Sequence, residues 1–200
     1  MIDIYLVRHG KTIGPAALYG RTDVAVETQR QDRIATKLLD QYVFSHVYTS
    51  PLQRCRRLAG QLIVQQPGLF MHIEPDFQEM DFGRYDGIPY EQLTDSWNEL
   101  EQFWHNPAEV VLPEAEPLDA VQRRVTLAWE ALIARCQQNT LVIAHGGTIR
   151  LILAHVLGID WKNPNWYKIL HISNQSLSHL QLLWDEEMPY LTVKSIGVPL

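Results

Sequence analysis

The chain has 200 residues, 46% of them hydrophobic and 20% charged, a balance typical of soluble globular proteins, and its length suits one packed domain spanning 1–200. Its formal net charge of −6 argues against nucleic acid and anionic membrane surfaces as partners. No stretch approaches the roughly 18 consecutive apolar residues of a membrane span. Cys55 and Cys136 are too few for a disulfide framework or a paired zinc motif. We therefore expect a cytoplasmic protein with reduced thiols.

Strand and helix patterns alternate along the chain. Short β-branched apolar runs predict strands, and apolar residues that recur every three to four positions predict helices. The N-terminal run lacks the basic start of a signal peptide and is interpreted as a strand. In chain order, the predicted elements are strand 1–7, helix 27–42, strand 47–49, helix 50–66, ordered loop 77–89, helix 90–104, a long helix from 117, strand 140–144, a helix ending at 158, and strands 176–184 and 190–196. This alternation favours a three-layer α/β/α sandwich with a mostly parallel mixed sheet.

Capping residues determine several of these predicted boundaries. Ser50 followed by Pro51 is a favourable N-cap and first-turn pair. Pro117 suits the first turn of the long helix. Gly158 is expected to end the helix that follows strand 140–144, because glycine accepts the left-handed conformation common at helix ends.

Two predicted strands end in the same motif, an apolar run followed by His-Gly. His9 follows the first strand, and His145 follows strand 140–144. Ligands of open α/β sheets bind outside the carboxyl ends of the strands, so we expect both imidazoles to face one crevice. Gly146 lets backbone N–H groups approach an anion closely, and the helix after it adds its positive end.

Positive side chains are expected in the same crevice. Arg8 adjoins His9, and Arg54 lies near the start of a helix that also follows a strand. Two guanidiniums, two imidazoles and backbone donors suit a tetrahedral oxyanion. Each residue also has a plainer interpretation, since a His-Gly after a strand is commonly a tight turn and Arg54 alone can be a solvated helix residue. The combination of these residues is what predicts an anion site.

Four motifs occur in the order in which they occur in one known superfamily. They are Leu-Val-Arg-His-Gly-Lys-Thr at 6–12, Thr-Ser-Pro-Leu-Gln-Arg at 49–54, Glu-Met-Asp-Phe-Gly at 79–83 and Ala-His-Gly-Gly at 144–147. In these motifs the chain resembles the histidine phosphatase superfamily, which includes cofactor-dependent phosphoglycerate mutases and many small phosphatases. The resemblance implies a phosphoglycerate mutase-like fold and a phosphomonoesterase that needs no metal and no cofactor.

The resemblance also implies a role for each site residue. His9 would be the nucleophile that becomes a phosphohistidine. Arg8, Arg54 and His145, with the backbone at Gly146, would hold the non-bridging phosphate oxygens and stabilise the transition state.

The general acid implied by the resemblance is Glu79. It would protonate the leaving alkoxide and then take a proton from the water that hydrolyses the phosphohistidine. Asp81 and Asp86 are the competing carboxylates of the same loop, and loop solvation or Asx turns are the alternative for both.

The chain departs from the family pattern at three places. Residues 13–16 read Ile-Gly-Pro-Ala where relatives commonly carry an asparagine, so a phosphate contact is missing or supplied from elsewhere, with Arg21 as a candidate. Lys11 replaces the usual acidic residue or glutamine. Residues 115–117 read Ala-Glu-Pro in place of Gly-Glu-Ser.

The substrate expected from the resemblance is a small phosphomonoester. The chain lacks the insertion usual in mutases, which favours hydrolysis over phosphoryl transfer. Residues 18–23 and 193–198 resemble α-ribazole-5′-phosphate phosphatases of cobalamin nucleotide-loop assembly. The alternatives are a broad-specificity sugar-phosphate or nucleotide phosphatase, a phosphoglycerate mutase-like enzyme, or a non-catalytic phospholigand-binding domain. Five aromatic residues are candidates either for a pocket that binds a heteroaromatic base or for the core: Trp97, Phe103, Trp104, Trp161 and Trp166.

Overall fold

The computed structural model describes residues 1–186 and 188–200. The strands are β1 (Ile2–Arg8), β2 (His46–Thr49), β3 (Phe70–Ile73), β4 (Thr140–Ala144), β5 (Ser176–Asp185) and β6 (Met188–Pro199). The helices are α1 (Thr28–Gln41), α2 (Gln53–Gln65), α3 (Trp97–His105), α4 (Leu118–Arg135), α5 (Gly146–Leu157) and α6 (Pro164–Ile169). Short 3-10 turns lie at Pro75–Phe77, Gly83–Tyr85, Tyr90–Gln92 and Thr94–Ser96.

Within the described residues, the strands form one six-stranded sheet in the order β3-β2-β4-β1-β5-β6. The first four strands in this order are mutually parallel, and β5 and β6 are added as antiparallel strands at one side. The mostly parallel mixed sheet expected from the sequence is therefore confirmed. The carboxyl ends of β1, β2 and β4 meet at the same edge of the sheet.

Alternate residues of the central strands point into two separate cores. In β1, Tyr5 and Val7 pack against α1 and α2, whereas Ile4 and Leu6 pack on the opposite face with α4 and α5. Because side chains alternate along a strand, a central strand that reads as a continuous apolar run serves both faces. Helices thus cover both sides of the sheet, which confirms the three-layer sandwich.

The long helix and the helix after β4 have the apolar faces expected of them. Within α4, the residues with the predicted helical spacing are all buried: Leu118, Val121, Val125, Ala128 and Leu132. Pro117 lies one position earlier than predicted, as the N-cap. Gly158 ends α5 in the left-handed conformation, with a φ of 64°.

The predicted start of the helix at 50–66 is wrong. Leu52, not Ser50, is the N-cap residue of α2, and the first backbone N–H of the helix, that of Gln53, donates to Oδ1 of Asp23 at 2.7 Å. The Ser50 hydroxyl lies 2.8 Å from Nε2 of His145 instead. Two residues distant in the chain, Asp23 and His145, have therefore changed the contacts that the local sequence assigned to Ser50.

The predicted helix 90–104 is wrong in its first half. Residues 90–96 form two 3-10 turns, and α3 begins at Trp97. The helix begins later than predicted because the side chains of Thr94, Asp95 and Ser96 favour turns over helix interiors.

Two elements were absent from the sequence-based prediction. All four side chains of β3 are exposed, so this edge strand lacks the apolar alternation that marks a strand. The helix α6 has only six residues, too few for a periodic pattern, although Asn163 caps it and Pro164 opens it. None of the described helices combines the length and the apolar character needed to span a membrane.

Candidate active site

Neighbouring parallel strands bring His9 and His145 together. Arg8, the last residue of β1, is paired in register with Ala144, the last residue of β4. The backbone N–H of His9 donates to the Ala144 carbonyl at 3.2 Å, which extends the ladder by one bond. The two imidazole rings lie edge to face, with centroids 5.2 Å apart, and both histidines are buried. The two imidazoles therefore lie together at the carboxyl end of the sheet, as the strand order predicted.

His9 is held in a form suited to nucleophilic attack. Its Nδ1 lies 2.8 Å from the carbonyl oxygen of Gly10. Because a carbonyl only accepts, Nδ1 carries the proton and the lone pair is on Nε2. Burial, followed by the positive charges of Arg54 and Arg8, lowers the pKa of His9 to about 3. The ring is therefore neutral at physiological pH.

His145 is fixed by partners on both ring nitrogens. Nε of Arg54 donates to Nδ1 at 3.1 Å, and Nε2 lies 2.8 Å from the Ser50 hydroxyl. The proton therefore resides on Nε2, since a guanidinium can only donate. Burial, followed by the charge of Arg54, lowers the pKa of His145 well below its usual value. The expected contact between His145 and a phosphate oxygen stays a prediction, because both nitrogens have protein partners in this structure.

Arg54 is a fully buried residue in the first turn of α2. Its Nη1 donates to the carbonyl of Thr22 at 2.9 Å, and its Nη2 donates to those of Tyr19 and Gly20 at 3.0 and 2.6 Å. Together with the bond to His145, these contacts use four of the five guanidinium protons. Arg54 thus fixes the loop 19–22 and places its positive charge beside His9.

Arg8 and Arg150 flank the start of α5. A Cβ atom built on Gly146 would lie 3.3 Å from Cζ of Arg8 and 3.4 Å from Nη1 of Arg150, so the missing side chain makes room for both guanidiniums. Nη1 of Arg8 donates to Ile172 O at 2.6 Å, and its Nε is buried without a partner among the described residues. Nε of Arg150 donates to Leu170 O at 2.8 Å.

Glu79 is the carboxylate next to this pair of arginines. Its Oε2 accepts a hydrogen bond from the Gly147 backbone N–H at 3.0 Å, at the positive end of α5. Burial lowers the pKa of Arg8, the charge of Glu79 opposes that shift, and the charge of Arg150 adds to it. One negative side chain, Glu79, and two positive ones, Arg8 and Arg150, therefore lie close to one another.

The other carboxylates of the acid loop bind backbone groups. Asp81 accepts from the Gly83 N–H at 2.8 Å, which is the Asx turn named as the alternative for this residue. Asp86 accepts from four backbone N–H groups, those of Gly20, Arg21, Thr22 and Phe82. Both carboxylates therefore have structural partners.

Arg21 does not point toward His9. Its Nη1 donates to Oε1 of Gln78, and its Nη2 lies 3.5 Å from a carboxylate oxygen of Glu116. Arg21 is therefore directed to the acid loop and to Glu116. Its suggested role as a substitute for the absent asparagine has no support in this geometry.

A cavity of about 460 Å³ is lined by residues that flank the two histidines in the chain or in space. Its polar lining includes Arg8, Glu79, Arg150 and Lys168, together with the backbone at Gly146. The rest of the wall is largely apolar and aromatic, and the aromatic residues are Tyr19, Phe82, Tyr90, Phe103, Trp104 and Tyr167. Such a cavity suits a phosphoester with a bulky organic part.

Only some of the predicted aromatic candidates line this cavity. Phe103 and Trp104 do. Trp97 instead packs edge to face against Trp104, 5.3 Å between centroids, and Trp166 donates its indole N–H to the carbonyl of Arg150. Trp161 lies against the core on the α4 and α5 side of the sheet.

Arg150 is the site residue that the sequence-based reasoning missed. It lies four residues after Gly146 in α5 and hence on the same face of the helix. That spacing was the available clue, since a cation one turn beyond an anion-binding helix start can reach the anion. Lys168 offered no such clue, because only the packing of α6 brings it to the cavity.

No group of three or more His, Cys, Asp or Glu side chains in residues 1–186 and 188–200 is arranged to hold a metal ion. Both cysteines are buried and free. The positive charge at the site comes from guanidiniums and from the end of α5.

Comparison with known proteins agrees with this geometry. The sequence profile of the "Histidine phosphatase superfamily (branch 1)" matches residues 4–193. The chain is 26% identical to "Probable phosphoglycerate mutase GpmB" of Serratia proteamaculans (strain 568) over 194 residues, which cover 92% of this chain and 88% of the relative.

Two solved structures show the same fold at low sequence identity. The α-ribazole phosphatase of Shigella flexneri superposes with a TM-score of 0.77 at 23% identity, covering 99% of this chain and 98% of that one. A mycobacterial glucosyl-3-phosphoglycerate phosphatase gives a TM-score of 0.82 at 19% identity, covering 98% and 99%. At these identities the likeness concerns the fold alone.

Proposed function

The chain belongs to the histidine phosphatase superfamily, and from that premise we propose that it hydrolyses phosphate monoesters through a phosphohistidine at His9. The observation that carries the proposal is the state of His9, whose Nδ1 is bonded to Gly10 O in a neutral ring, while its Nε2 has no hydrogen-bond partner among the described residues. A neutral imidazole with a fixed tautomer is what attack on phosphorus requires.

The proposed reaction has two steps. First, the Nε2 lone pair of His9 forms a bond to phosphorus, the bond from phosphorus to the ester oxygen breaks, and the departing oxygen takes a proton from Glu79. Second, a water molecule attacks the phosphohistidine, Glu79 takes a proton from that water, and the phosphorus–nitrogen bond breaks. Phosphate leaves, and His9 and Glu79 return to their initial states.

Positive groups stabilise the charge that develops on the non-bridging oxygens. Nε of Arg8 has no partner in the part of the chain that the structure describes, and Arg150 lies beside Arg8 across Gly146. Arg54 acts mainly through its charge and through His145, because most of its donors are used by the protein. Each of these guanidiniums is also held by a hydrogen bond to the protein, and such fixed donors favour electrostatic stabilisation of a transition state.

The proposed substrate is α-ribazole 5′-phosphate. An aromatic-walled cavity next to the phosphate end supports it, because a benzimidazole base stacks favourably on rings such as those of Phe103 and Trp104. The likeness to an α-ribazole phosphatase structure is consistent with this choice. A non-catalytic binding domain is disfavoured because His9, Arg8, Arg54 and Glu79 are all present in one site.

The second candidate is a phosphoester with an additional acidic group. Lys168 also lines the cavity, and its ammonium group suits a carboxylate at a distance from the phosphate. Phosphoglycerate, which the names of two similar proteins contain, carries such a carboxylate.

The chemical proposal is tested by trapping the intermediate. His9→Ala should abolish turnover, and wild-type protein quenched after incubation with labelled substrate should carry a label that mild acid removes. His105→Ala, at an exposed position, is the matched control and should retain both activity and label. An acid-stable label, or one that mild alkali releases, would contradict a phosphohistidine.

The two substrate candidates are separated by kcat/KM on a panel of α-ribazole phosphate, phosphoglycerates, nucleotides and sugar phosphates. Trp104→Ala should lower the value for α-ribazole phosphate, whereas Lys168→Gln should lower it only for an acidic ester. Lys162→Gln, an exposed residue outside the cavity lining, is the control for the second variant. Nearly equal values across the panel would indicate the broad-specificity phosphatase instead.

A further inference from the structure

Arg124 of α4 binds the loop that carries Glu79. Its side chain is only 14% exposed. Nη1 donates to the carbonyl oxygens of Asp76 at 2.6 Å and Gln78 at 2.9 Å, and Nη2 lies 3.3 Å from the carbonyl of Glu79 itself. One guanidinium thus holds three carbonyls of the four residues that end at Glu79.

The remaining face of Arg124 is bound to Glu116. Nε and Nη2 donate to its two carboxylate oxygens at 2.7 and 3.0 Å, a two-pronged contact. Oε2 of Glu116 also accepts from the N–H of Asp81 at 3.4 Å, and the backbone N–H of Glu116 donates to Asp81 O at 3.0 Å. The Arg124–Glu116 pair therefore contacts the loop on both sides of Glu79.

The pair holds the loop through its hydrogen bonds. Burial alone would raise the pKa of Glu116, but the hydrogen bonds and charge of Arg124 outweigh it and lower that pKa. Glu116 is therefore an ionised partner that keeps the guanidinium in place. Residues 78–82 belong to no strand or helix, so the position of their backbone depends on side chains of the helices beside them. These are Arg124 and Thr148, whose hydroxyl donates to Gln78 O at 3.1 Å.

We propose that Arg124, oriented by Glu116, is a positioning residue that holds Glu79 at the distance needed for proton transfer to the leaving oxygen. The inference rests on the proposed function, in which Glu79 is the general acid. A lysine cannot replace the planar fork, because its single nitrogen cannot reach all the acceptors that Arg124 spans. A misplacement of about 1 Å at a reacting group can lower a rate by about 10²-fold.

The test compares Arg124→Lys and Arg124→Gln with the same changes at Arg123. Arg123 lies next to Arg124 on α4, its side chain is 71% exposed, and it forms an ion pair with Asp119 at the surface. The quantity measured is the pre-steady-state phosphorylation rate, with an alkyl phosphate and with p-nitrophenyl phosphate. The alkoxide needs a proton to leave, whereas the nitrophenolate does not.

Both Arg124 variants should slow phosphorylation by the alkyl phosphate about 10- to 100-fold and change the rate with p-nitrophenyl phosphate by less than about 3-fold. Glu79→Gln should show the same dependence on the leaving group, and adding Arg124→Gln to it should cause little further loss. The Arg123 variants should match wild type. If Arg124→Gln does not fold, the comparison of Arg124→Lys with Arg123→Lys is sufficient to test the proposal.

Two contrary results are distinguishable. If Glu79→Gln shows the leaving-group dependence but the Arg124 variants slow both substrates equally, or neither, then the acid is correct and the positioning role is wrong. If Glu79→Gln shows no dependence, the assignment of the acid is wrong and the inference falls with it.

Discussion

At the scale of single residues, burial beside guanidiniums determines the state of the two site histidines. The pKa of His9 is lowered to about 3 by burial, Arg54 and Arg8, and the pKa of His145 is also well below its ordinary value. The charged form of each ring is therefore costly, because it would add a cation to a buried cluster of cations. The same effect that keeps His9 neutral makes the folded protein sensitive to acid.

We predict that His9 makes the protein less stable as the pH falls. The unfolded chain takes up a proton on this histidine from about pH 6.5 downward, whereas the folded chain does so only near pH 3, so stability is lost over this interval. At pH 5 the loss from His9 is about 2 kcal/mol relative to pH 7. Urea unfolding at pH 7 and pH 5 gives the free energy of unfolding at each pH. The decrease between the two pH values should be smaller in His9→Asn than in wild type by about 2 kcal/mol, whereas the control, His105→Asn, should match wild type. An unchanged difference would contradict the buried, neutral His9.

At the scale of elements, the first turn of α5 gathers several parts of the site. Gly146 leaves room for the two arginines, the N–H of Gly147 binds Glu79, and Arg150 follows one turn later. The strand β4 fixes the position of this turn, because α5 begins only two residues after the strand ends. A side chain at either glycine would occupy space that a functional group uses.

Gly147→Ala should lower activity without loss of the fold. The new Cβ would overlap Oε1 of Glu79, so the carboxylate must move, and we expect a loss of about 10- to 100-fold in kcat/KM for an alkyl phosphate. Gly60→Ala in α2 is the matched control, because a Cβ there meets no atom within 4 Å. The control should keep full activity and gain about 0.5–1 kcal/mol of stability, as expected for glycine to alanine in a helix. Full activity in Gly147→Ala would show that the position of the Glu79 carboxylate is unimportant.

At the scale of the whole molecule, a local positive site lies within a chain of net charge −6. Three arginines converge at the carboxyl end of the sheet, namely Arg8, Arg54 and Arg150, and Glu79 offsets one of them. The site therefore attracts a dianion although the molecule as a whole repels anions. The charge needed for phosphoryl transfer is thus available from protein groups.

We expect turnover to survive EDTA and vanadate to inhibit strongly. The guanidiniums supply the positive charge, and vanadate resembles the pentacoordinate transition state, so it should bind at least about 10²-fold more tightly than substrate. Initial rates with and without chelator, and the inhibition constant of vanadate against KM, provide the measurements. Loss of activity on chelation that magnesium or zinc restores would place the protein in a different mechanistic class.

Much of the architecture was predictable because its causes are local. The strand β4 is a continuous apolar run, and α4 repeats apolar residues with helical spacing, so each pattern shows which element forms and which face is buried. The His-Gly motifs after two strands predicted a common location for both histidines, because parallel strands end at the same edge of a sheet. His9 and His145 were therefore placed together without knowledge of the packing.

Only the tertiary structure determined the contacts between segments that are distant in the chain. Ser50 looked like a helix cap but faces His145, and Arg21 looked like a phosphate ligand but faces Gln78 and Glu116. Arg124 had no distinguishing pattern at all. A polar side chain with several possible partners forms the hydrogen bonds that leave the fewest buried polar groups unsatisfied. Those partners come together only after helices and loops have packed.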